Sequence, residues 1–578
     1  MLLKQLISGL EGAFGVRTLW PGDASMFGVG QLDAGKANAV QAGPGRLDDP
    51  MATRICDLTE DSRTVLPGSL FVARSGTKSD GRRFVADARA SGAVAILIDS
   101  NDDARARAAV EAARSNTSGS SPAIVLGAAD LSGAVARIAD RFYGEPSKKL
   151  RAIGVTGTNG KTTTTWLAWK ILNSCGIRSG LVGTVVVDDG REVAPASMTT
   201  LPAIELSRSM ASMVEAGCRA VVMETSSHAL HQKRVDGVSF DAGVFTNLTG
   251  DHLDYHGSME AYADAKARLF SLVKPDGVAI VNGQDVASSR MLRDCTARML
   301  ACHQASEEPA AMFGAERAGE RATARVLAWS LRGMELALDG PWGIVTTKVP
   351  FVGAYNVMNT LQAVAASHAL GLTRDQIAEG LGRVTPPPGR LEPCSRAEDD
   401  VLVFVDYAHT DDAMRNVLGA VRAAMNDAAQ GAANLYGSGD SESPGRPGRL
   451  WIVFGCGGDR DKSKRPRMGR AASELADRVV VTSDNPRTEK PSDIIAEILA
   501  GVPADLRNKA IVQADRARAI AYAISGAAPG DVVVVAGKGH ETEQILPDAR
   551  GGTLRQTFDD RVVAKQELAA RRAARPAT

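Results

Sequence analysis

Short apolar runs alternate with helical stretches along the chain and predict a series of strands and helices. The runs 69–73 and 93–98 have the length and composition of buried strands. Similar runs occur at 220–222, 401–405 and 532–535. Because strands that alternate with helices form mostly parallel sheets, we expect an α/β fold.

The start of the chain predicts an amphipathic helix. The leucines and the isoleucine of segment 2–10 recur at helical spacing, and Glu11 then interrupts the apolar face. This pattern differs from the continuous apolar core of a signal peptide. No apolar run in the chain approaches the ~18 residues of a membrane span, so we expect neither a signal peptide nor a membrane anchor.

The length of the chain and one proline-rich segment predict three units. A chain of 578 residues is too long for a single core. Three consecutive prolines at 386–388 and the glycine after them form a stiff segment that a helix cannot cross. We therefore expect α/β units at 1–148, 149–386 and 387–578.

Three segments rich in small and polar residues interrupt this pattern. Segments 22–50 and 101–122 combine Gly, Ala, Asp, Ser and Asn, and we expect both to be surface insertions. Segment 428–449 contains a Gly-Ser-Gly-Asp-Ser-Glu-Ser-Pro run. We expect it to be a mobile loop.

Composition and charge restrict the classes of molecule that the protein is expected to bind. The 67 basic and 67 acidic residues leave no formal net charge, which removes the usual electrostatic reason to expect a nucleic acid or an anionic membrane. A small-molecule substrate is then the default. The seven cysteines lack paired metal-ligand spacing, and their odd number favours reduced thiols and a cytoplasmic protein.

The most informative segment is a glycine-rich loop that carries a lysine and a threonine. Thr156-Gly157-Thr158-Asn159-Gly160-Lys161-Thr162 stands between a predicted strand ending at 151–153 and a predicted helix at 162–172. Backbone N–H groups of such a loop converge on phosphate oxygens, Lys161 reaches the β- and γ-phosphates, and Thr162 offers its hydroxyl to Mg²⁺. The strict P-loop spacing needs a glycine at position 155, where valine stands. We expect an ATP site in a variant phosphate loop.

Acidic and imidazole side chains follow this loop. Glu224 ends a predicted strand, where ligand crevices of parallel sheets open. His252 and His256 are four residues apart and raise the alternative of zinc, but a triphosphate asks for a hard cation, so we favour Mg²⁺. For His228, a structural role and a functional role remain equally open.

Lys266 occupies an unusual place. The predicted helix 259–270, capped by Ser258, has Lys266 on its apolar face. A buried ammonium is costly unless it snorkels to solvent, pairs with an anion or is chemically converted. Snorkelling is the usual explanation. The alternative is carbamylation, which yields an anion able to support a second Mg²⁺.

These segments together resemble the Mur ligases of peptidoglycan synthesis over nearly the whole chain. The matching motifs are Thr-Gly-Thr-Asn-Gly-Lys-Thr, Glu-Thr-Ser-Ser-His, Asp-His-Leu-Asp-Tyr-His, Ala-Lys-x-x-Leu-Phe and Asp-Tyr-Ala-His-Thr. The resemblance implies three domains, with a central P-loop-type ATPase domain and a Rossmann-like C-terminal domain. Within the family the chain is most similar to the ligases that add the third stem-peptide residue. Asp484-Asn485-Pro486-Arg487 matches the motif for meso-diaminopimelate rather than lysine.

The resemblance also implies roles for individual residues. Lys161 and Thr162 would hold ATP and its Mg²⁺, and Glu224, His252 and a carbamylated Lys266 would complete the metal and catalytic site. The residues implied to contact the nucleotide from outside the loop are Asn356, Arg390 and Asp406. Those implied to hold UDP-N-acetylmuramoyl-L-alanyl-D-glutamate are Ser62 with the segments 61–63 and 76–79, Thr199, Thr200, Ser226, Gln232 and Arg234. Those implied to bind diaminopimelate are Arg460, Asp484, Asn485, Pro486, Arg487, Gly537 and Glu541.

The implied reaction forms an amide through an acyl phosphate. Met198 stands where some family members have a polar contact, and Glu60 and Lys78 also depart from the family pattern. We expect a cytoplasmic monomer that uses ATP and Mg²⁺. Two alternatives remain: another ATP-dependent amide ligase, such as a lysine-adding or folylpolyglutamate synthetase-like enzyme, and an ATPase that makes no bond.

Overall fold

Three sheets follow one another along the chain in the computed structural model. The structure describes residues 1–20, 50–75, 80–101, 103–114, 123–305, 319–435, 448–548 and 550–575. Each sheet consists mainly of parallel strands and carries its own helices, which confirms the expected α/β class. The boundaries at residues 148 and 386 stay predictions.

The first sheet has five strands in the order β1-β5-β4-β3-β2, of which only β1 is antiparallel to its neighbour. Its strands are β1 (Arg17–Trp20), β2 (Asp57–Thr59), β3 (Ser69–Ala73), β4 (Ala95–Asp99) and β5 (Ile124–Ala128). Its helices are α1 (Leu3–Ile7), α2 (Leu10–Phe14), α3 (Val85–Ala90), α4 (Asp103–Arg114) and α5 (Leu131–Phe142).

Two sequence predictions for this unit are wrong in part. The single N-terminal helix is split into α1 and α2, because Gly9 adopts a left-handed φ of 72° that a helix cannot continue through. The segment 101–122 contains α4, whose Ala106, Ala109 and Ala113 are buried against the sheet. The alanines of this segment allow close packing of α4 on the sheet, so 103–114 is not a surface insertion. Residues 21–49 and 115–122 lie outside the described part of the chain.

The second sheet has eleven strands in the order β16-β15-β14-β13-β12-β11-β6-β10-β7-β8-β9. Its strands are β6 (Arg151–Thr156), β7 (Ser179–Val182), β8 (Val186–Asp188), β9 (Val193–Pro195), β10 (Ala220–Glu224), β11 (Phe240–Phe245), β12 (Val273–Asn282), β13 (Arg298–Gln304), β14 (Glu320–Ser330), β15 (Gly333–Asp339) and β16 (Val345–Val349). Its helices are α6 (Lys161–Ser174), α7 (Ala203–Glu215), α8 (Ser227–His231), α9 (Leu253–His256), α10 (Met259–Ser271), α11 (Ser288–Met291), α12 (Tyr355–Ala369) and α13 (Arg374–Leu381).

Helices cover both faces of the parallel part of this sheet. Ile153 and Val155 of β6 point toward α6 and α12, whereas Ala152 points toward α7 and α10. A strand buried on both faces is continuously apolar, as 152–155 of β6 and 220–223 of β10 are. The carboxyl ends of these strands therefore meet at one edge, where the following loops carry the polar residues.

Strand β6 corrects another prediction, since it begins at Arg151 and does not end at 153. It pairs with β10 and β11 on its two sides, and these ladders carry it through Gly154 to Thr156. A Cβ at Gly154 would lie 2.7 Å from the ring of Phe240, so the glycine serves close packing rather than a turn. Helix α10 and its Ser258 cap agree with the prediction.

The third sheet has six strands in the order β17-β18-β22-β19-β20-β21. A two-stranded hairpin in the same unit forms a small sheet of its own. Its strands are β17 (Glu392–Pro393), β18 (Leu402–Asp406), β19 (Leu450–Phe454), β20 (Arg478–Val481), β21 (Ala510–Val512) and β22 (Val532–Ala536), with β23 (Glu543–Pro547) and β24 (Thr553–Thr557) forming the hairpin. Its helices are α14 (Asp411–Leu435), α15 (Lys464–Leu475), α16 (Pro491–Ala500), α17 (Arg516–Gly526) and α18 (Asp560–Ala573).

Helix α14 continues eight residues into the segment predicted as a mobile loop, so that prediction is wrong for 428–435. Residues 436–447 lie outside the described part of the chain. No described helix is both long and apolar enough to cross a membrane. All seven cysteines are free thiols, as expected.

A buried ion pair joins the last two helices to the ends of two strands. The guanidinium of Arg516 binds both carboxylate oxygens of Asp560, at 2.7 and 2.6 Å, and both side chains are fully buried. Arg516 also donates to the carbonyls of Ala536 and Ser483. We call this set of contacts the Arg516 clamp, and it fixes the loops after β20 and β22.

Replacing Arg516 by methionine should strongly destabilise the protein. The variant leaves Asp560 as an unpaired buried carboxylate, which costs about 3–5 kcal/mol of unfolding free energy. Arg191 pairs with Glu215 at the surface, where both side chains are at least 60% exposed, so Arg191→Met is the control and should cost at most about 1 kcal/mol. Urea denaturation measures both losses. Equal losses would contradict the role given to the clamp.

Candidate active site

The phosphate loop connects β6 to α6 at the carboxyl edge of the central sheet. Its two glycines have positive φ, 144° at Gly157 and 86° at Gly160. A Cβ at Gly157 would lie 1.9 Å from Thr246 Oγ1, and one at Gly160 would lie 2.4 Å from Asn359 Oδ1. Both positions therefore require glycine, for the turn and for the close approach of neighbouring side chains.

Residues after β11 hold this loop in shape. Thr246 Oγ1 donates to the carbonyl of Asn159 at 2.6 Å, and the side chain of Asn247 binds the N–H and the C=O of Asn159 at 3.0 and 3.1 Å. The N–H of Thr158 donates to the carbonyl of Asn247. The loop is thus preformed. The sequence analysis gave no role to this Thr-Asn pair.

Two lysines converge on the loop. Lys161 Nζ donates to the carbonyls of Gly157 and Thr158 at 2.9 and 2.8 Å, and Lys266 Nζ donates to the same Gly157 carbonyl at 2.7 Å. Lys266 is 1% exposed and does not snorkel. Burial lowers its pKa well below the usual range, and the positive charge of Lys161 lowers it further. Burial also lowers the pKa of Lys161.

Glu224 ends strand β10 as a buried carboxylate beside Thr162. Its Oε1 accepts from the Thr184 N–H at 2.7 Å, and its Oε2 accepts from the hydroxyls of Thr184 and Thr162 at 3.0 and 3.1 Å. Thr184 was not predicted, because it lies in none of the motifs found in the sequence. Carboxylate and hydroxyl oxygens are hard ligands of the kind that suit Mg²⁺.

Four histidines form a cluster with Tyr255, and one of them, His252, lines the same cavity as Glu224. His252 adopts a left-handed φ of 53°, and its ring centroid lies 4.8 Å from that of His228. Burial lowers the pKa of His228 to about 4, and nearby His252 and His256 contribute. His256 Nε2 lies 3.0 Å from Ser227 Oγ. Among the described residues, no three acidic, imidazole or thiol groups are arranged to hold a metal by themselves.

A cavity of about 850 Å³ opens between the phosphate loop and the third sheet. Arg390 crosses it, donating to Thr162 Oγ1 at 3.3 Å with its guanidinium 4.7 Å from the ring of Tyr407. Asp406 accepts from the N–H groups of Leu391 and Ala408, and burial raises its pKa against the influence of Arg390. The cavity wall includes Thr158, Asn159, Gly160, Lys161, Thr162, Thr199, Glu224, His252, Asn356, Arg390 and Asp406.

A hydrogen-bond network lies beside Glu224. Thr200 Oγ1 donates to the carbonyl of Glu224 at 2.7 Å and accepts from the N–H of Ser226 at 3.1 Å. Arg234 donates to the carbonyl of Thr200 and to Gln232 Oε1. Four predicted substrate residues are therefore joined, and the fifth, Thr199, bonds to Thr184 at 3.1 Å.

The predicted uridine residues are only partly described. Ser62 begins a short 3₁₀ turn, Ser62–Thr64, that Asp61 caps. Glu60, one of the departures from the family pattern, pairs with Arg74. Met198, another departure, lies 3.4 Å from Arg234 Nη1 through its sulfur. The predicted segment 76–79 lies outside the described residues.

The predicted amino-acid residues gather at the ends of β20 and β22. Arg487 adopts a left-handed φ of 54° and donates to the carbonyl of Gly458 at 2.7 Å. Gly537 has a φ of 114°, and a Cβ there would lie 2.5 Å from Asp484 Oδ2. A Cβ at Gly457 would lie 3.0 Å from Arg487 Nη1 and 3.7 Å from Arg460 Cγ, which places both arginines together. Asn485 binds Glu541 at 2.8 Å.

His540 was not predicted, yet it lies where the central and third sheets approach. Its ring centroid is 5.2 Å from that of Tyr407, and it interacts with the backbone of Thr184. Gly389 packs against the same segment, since a Cβ there would lie 2.2 Å from the backbone nitrogen of His540.

Family models match most of the described chain. The Mur ligase family catalytic domain matches residues 55–143, the Mur ligase middle domain matches 155–367 and the Mur ligase glutamate ligase domain matches 389–539. Two curated relatives, from Gloeobacter violaceus and Geobacter sulfurreducens, are 43% and 40% identical. They cover 90% and 89% of this chain and 94% and 96% of their own lengths. Both are named UDP-N-acetylmuramoyl-L-alanyl-D-glutamate–2,6-diaminopimelate ligase.

Two solved structures of Mur ligases are similar to this chain. A structure of a ligase with the same name is 29% identical, with a TM-score of 0.58, and covers 92% of this chain and 98% of its own. A MurF ligase from Thermotoga maritima shares the fold at 18% identity, with a TM-score of 0.54, and covers 90% of this chain and 99% of its own.

His540 should make the protein less stable in acid. Burial lowers its pKa from 6.5 to about 4, and Arg390 and Arg561 contribute. Between these values the unfolded chain binds a proton that the folded protein does not, so the unfolding free energy falls as pH falls. His540→Gln should reduce that slope by up to about 1.4 kcal/mol per pH unit. Urea denaturation between pH 4 and 7 measures the slopes, and identical slopes would contradict the prediction.

Proposed function

The chain belongs to the Mur ligase family, and we propose that it joins meso-diaminopimelate to UDP-N-acetylmuramoyl-L-alanyl-D-glutamate while converting ATP to ADP and phosphate. The observation that carries this proposal is the pocket that combines Arg487 with Asp484, Asn485, Gly537 and Glu541. The charges of Asp484 and Glu541 act on Tyr407, which lines the same cavity as the preformed phosphate loop. Relatives about 40% identical over about 90% of the chain are named for the same reaction.

ATP would bind with its phosphates at the loop. The N-terminus of the 14-residue helix α6 directs unpaired N–H groups and the positive end of its dipole toward this position. Lys161 would exchange its carbonyl contacts for phosphate oxygens. Asn356, Arg390 and Asp406 line the cavity on the side where the rest of the nucleotide would lie.

The oxygen-rich environment of Thr162 and Glu224 fits Mg²⁺. This ion commonly takes one or two carboxylates and completes its coordination with phosphates and water, so a preassembled group of three acidic residues is not needed. Thr162, Glu224, His252 and a carbamylated Lys266 would hold the metal. Bound there, Mg²⁺ would offset the charge of the reacting phosphate and carboxylate.

The chain's residues divide the reaction into two steps. The D-glutamate γ-carboxylate oxygen attacks the γ-phosphorus and ADP leaves, while Lys161 stabilises the transferring phosphoryl group. The diaminopimelate amine, as the free base, then attacks the acyl carbon, its nitrogen releases one proton to solvent, and phosphate leaves from the tetrahedral intermediate. Thr199, Thr200, Ser226, Gln232 and Arg234 would position the dipeptide. Enclosure between the sheets would keep water from the acyl phosphate.

We place this reaction in cytoplasmic peptidoglycan precursor synthesis, and so in cell-wall formation, cell shape and division. The protein would act as a monomer. An ATPase that makes no bond would need no amino-acid pocket.

The ligation assay should show a strong preference for meso-diaminopimelate, and Arg487 should determine it. A guanidinium binds the distal carboxylate bidentately, and lysine lacks that carboxylate. An unpaired polar group in a closed pocket can discriminate by about 10⁴-fold. We expect dipeptide-dependent ADP release with diaminopimelate, little with lysine or no amine, and a large loss of preference in Arg487→Ala.

The measurement is kcat/KM for both amino acids. Arg470→Ala removes an exposed arginine of α15 and is the matched control, which should keep the wild-type ratio. An unchanged ratio in Arg487→Ala would remove the main support for this substrate. ADP release that is independent of any amine would instead favour the ATPase.

Lys266 should carry a carbamate. Its lowered pKa favours the neutral amine, which attacks CO₂ to form an N–C bond and releases one proton to solvent. In ¹³C-bicarbonate the wild type and Lys274→Ala should both show a carbamate NMR signal, and Lys266→Ala should show neither the signal nor activity. Short carboxylates should restore part of the activity. A wild-type spectrum without the signal would refute the modification.

A further inference from the structure

A third cation, Lys538, contacts Asn485 and Glu541 of the amino-acid pocket and is separate from the pocket's two arginines. Lys538 follows Gly537 and is fully buried. Its ammonium donates to Asn485 Oδ1 at 3.0 Å, to Glu541 Oε2 at 2.9 Å and to the carbonyl of Glu543 at 2.6 Å. A lysine ammonium has three N–H donors, so these three oxygens satisfy it completely.

Lys538 fixes the orientation of the Asn485 amide. Asn485 Oδ1 accepts from Lys538 and also from the N–H of Ile545 at 3.0 Å. If the amide flipped, its NH₂ group would face these two donors with no acceptor between them. The amide nitrogen is thereby directed toward Glu541 Oε2, at 2.8 Å.

Lys538 also balances the charge of Glu541. The same Oε2 receives both the ammonium and the Asn485 amide, while a third of the Glu541 side chain stays exposed. Without the ammonium, Glu541 would be an uncompensated carboxylate in a pocket that must accept a carboxylate ligand. Arg487 lies close by, with its Nη1 3.5 Å from the carbonyl of Asn485. An uncompensated Glu541 would compete with the ligand for this cation.

We propose that Lys538 is a positioning residue that sets amino-acid specificity by orienting Asn485 and by offsetting the charge of Glu541. The inference rests on the proposed function. Loss of the Lys538 ammonium should weaken the binding of an amino acid with two carboxylates more than that of an amino acid with one. Each added carboxylate meets the same repulsion from Glu541.

The test compares Lys538→Met with the wild type. Methionine has similar length but no charge and no donor. We expect KM for diaminopimelate to rise about tenfold or more, with KM for ATP and for the UDP-dipeptide unchanged, and the kcat/KM preference over lysine to fall. The control is Lys509→Met, since Lys509 donates to the carbonyls of Ser473 and Ala476. It should keep all three KM values.

A double-mutant cycle with Glu541→Gln tests the mechanism. If Lys538 acts through the charge of Glu541, Lys538→Met should change the preference much less in the Glu541→Gln background than in the wild type. Additive effects would overturn the proposal, as would equal increases in all three KM values, which indicate a general structural role.

Further measurements separate a failure of the Lys538 role from a failure of the proposed function. If Lys538→Met does not fold, Kd for diaminopimelate is measured with Lys538→Gln, which keeps a neutral donor, and an unchanged Kd overturns the proposal. A wild type without diaminopimelate-dependent ADP release overturns the proposed function itself. A normal wild type whose preference survives in Lys538→Met overturns only the role of Lys538.

Discussion

Two lysine side chains share the carbonyl oxygen of Gly157, and the arrangement of the central site depends on this contact. One carbonyl dipole cannot neutralise both Lys161 and Lys266, and burial together with the positive charge of Lys161 lowers the pKa of Lys266. Burial adds to the imbalance, so the site gains most from an anion. A triphosphate on one side and a carbamate on the other would each supply negative charge where the fold has concentrated positive charge.

The same site depends on strands that end together. Glu224, the phosphate loop and the Thr246-Asn247 pair follow three neighbouring strands of one parallel sheet. Helices on both faces keep those strands dry and leave their carboxyl edge as the exit for polar side chains. The third sheet then completes the cavity with Arg390 and Asp406.

Much of this could be predicted from local patterns. The loop, the end of the strand at Glu224, the Ser258 cap and the buried position of Lys266 all follow from turn chemistry or helical spacing. Partners from distant segments could not be predicted, and Thr184, Asn359, Lys538 and His540 are examples. Their roles arise where separate chain segments meet. The predictions for the N-terminal helix and for segment 101–122 were wrong for a different reason. A glycine can continue a helix or end it, and alanine-rich sequence can be exposed or packed against a sheet, depending on the tertiary contacts.

The Arg516 clamp limits how this sequence can drift. Its two charged residues are 44 positions apart, and each is buried with the other as its counterion. A single exchange at either position leaves an orphan charge, whereas an apolar pair of similar volume could replace both at little cost. Any stepwise change of this pair therefore passes through a strongly destabilised single variant. Descendants of this chain should keep both residues or lose both together, although nothing in the local sequence marks them as a pair.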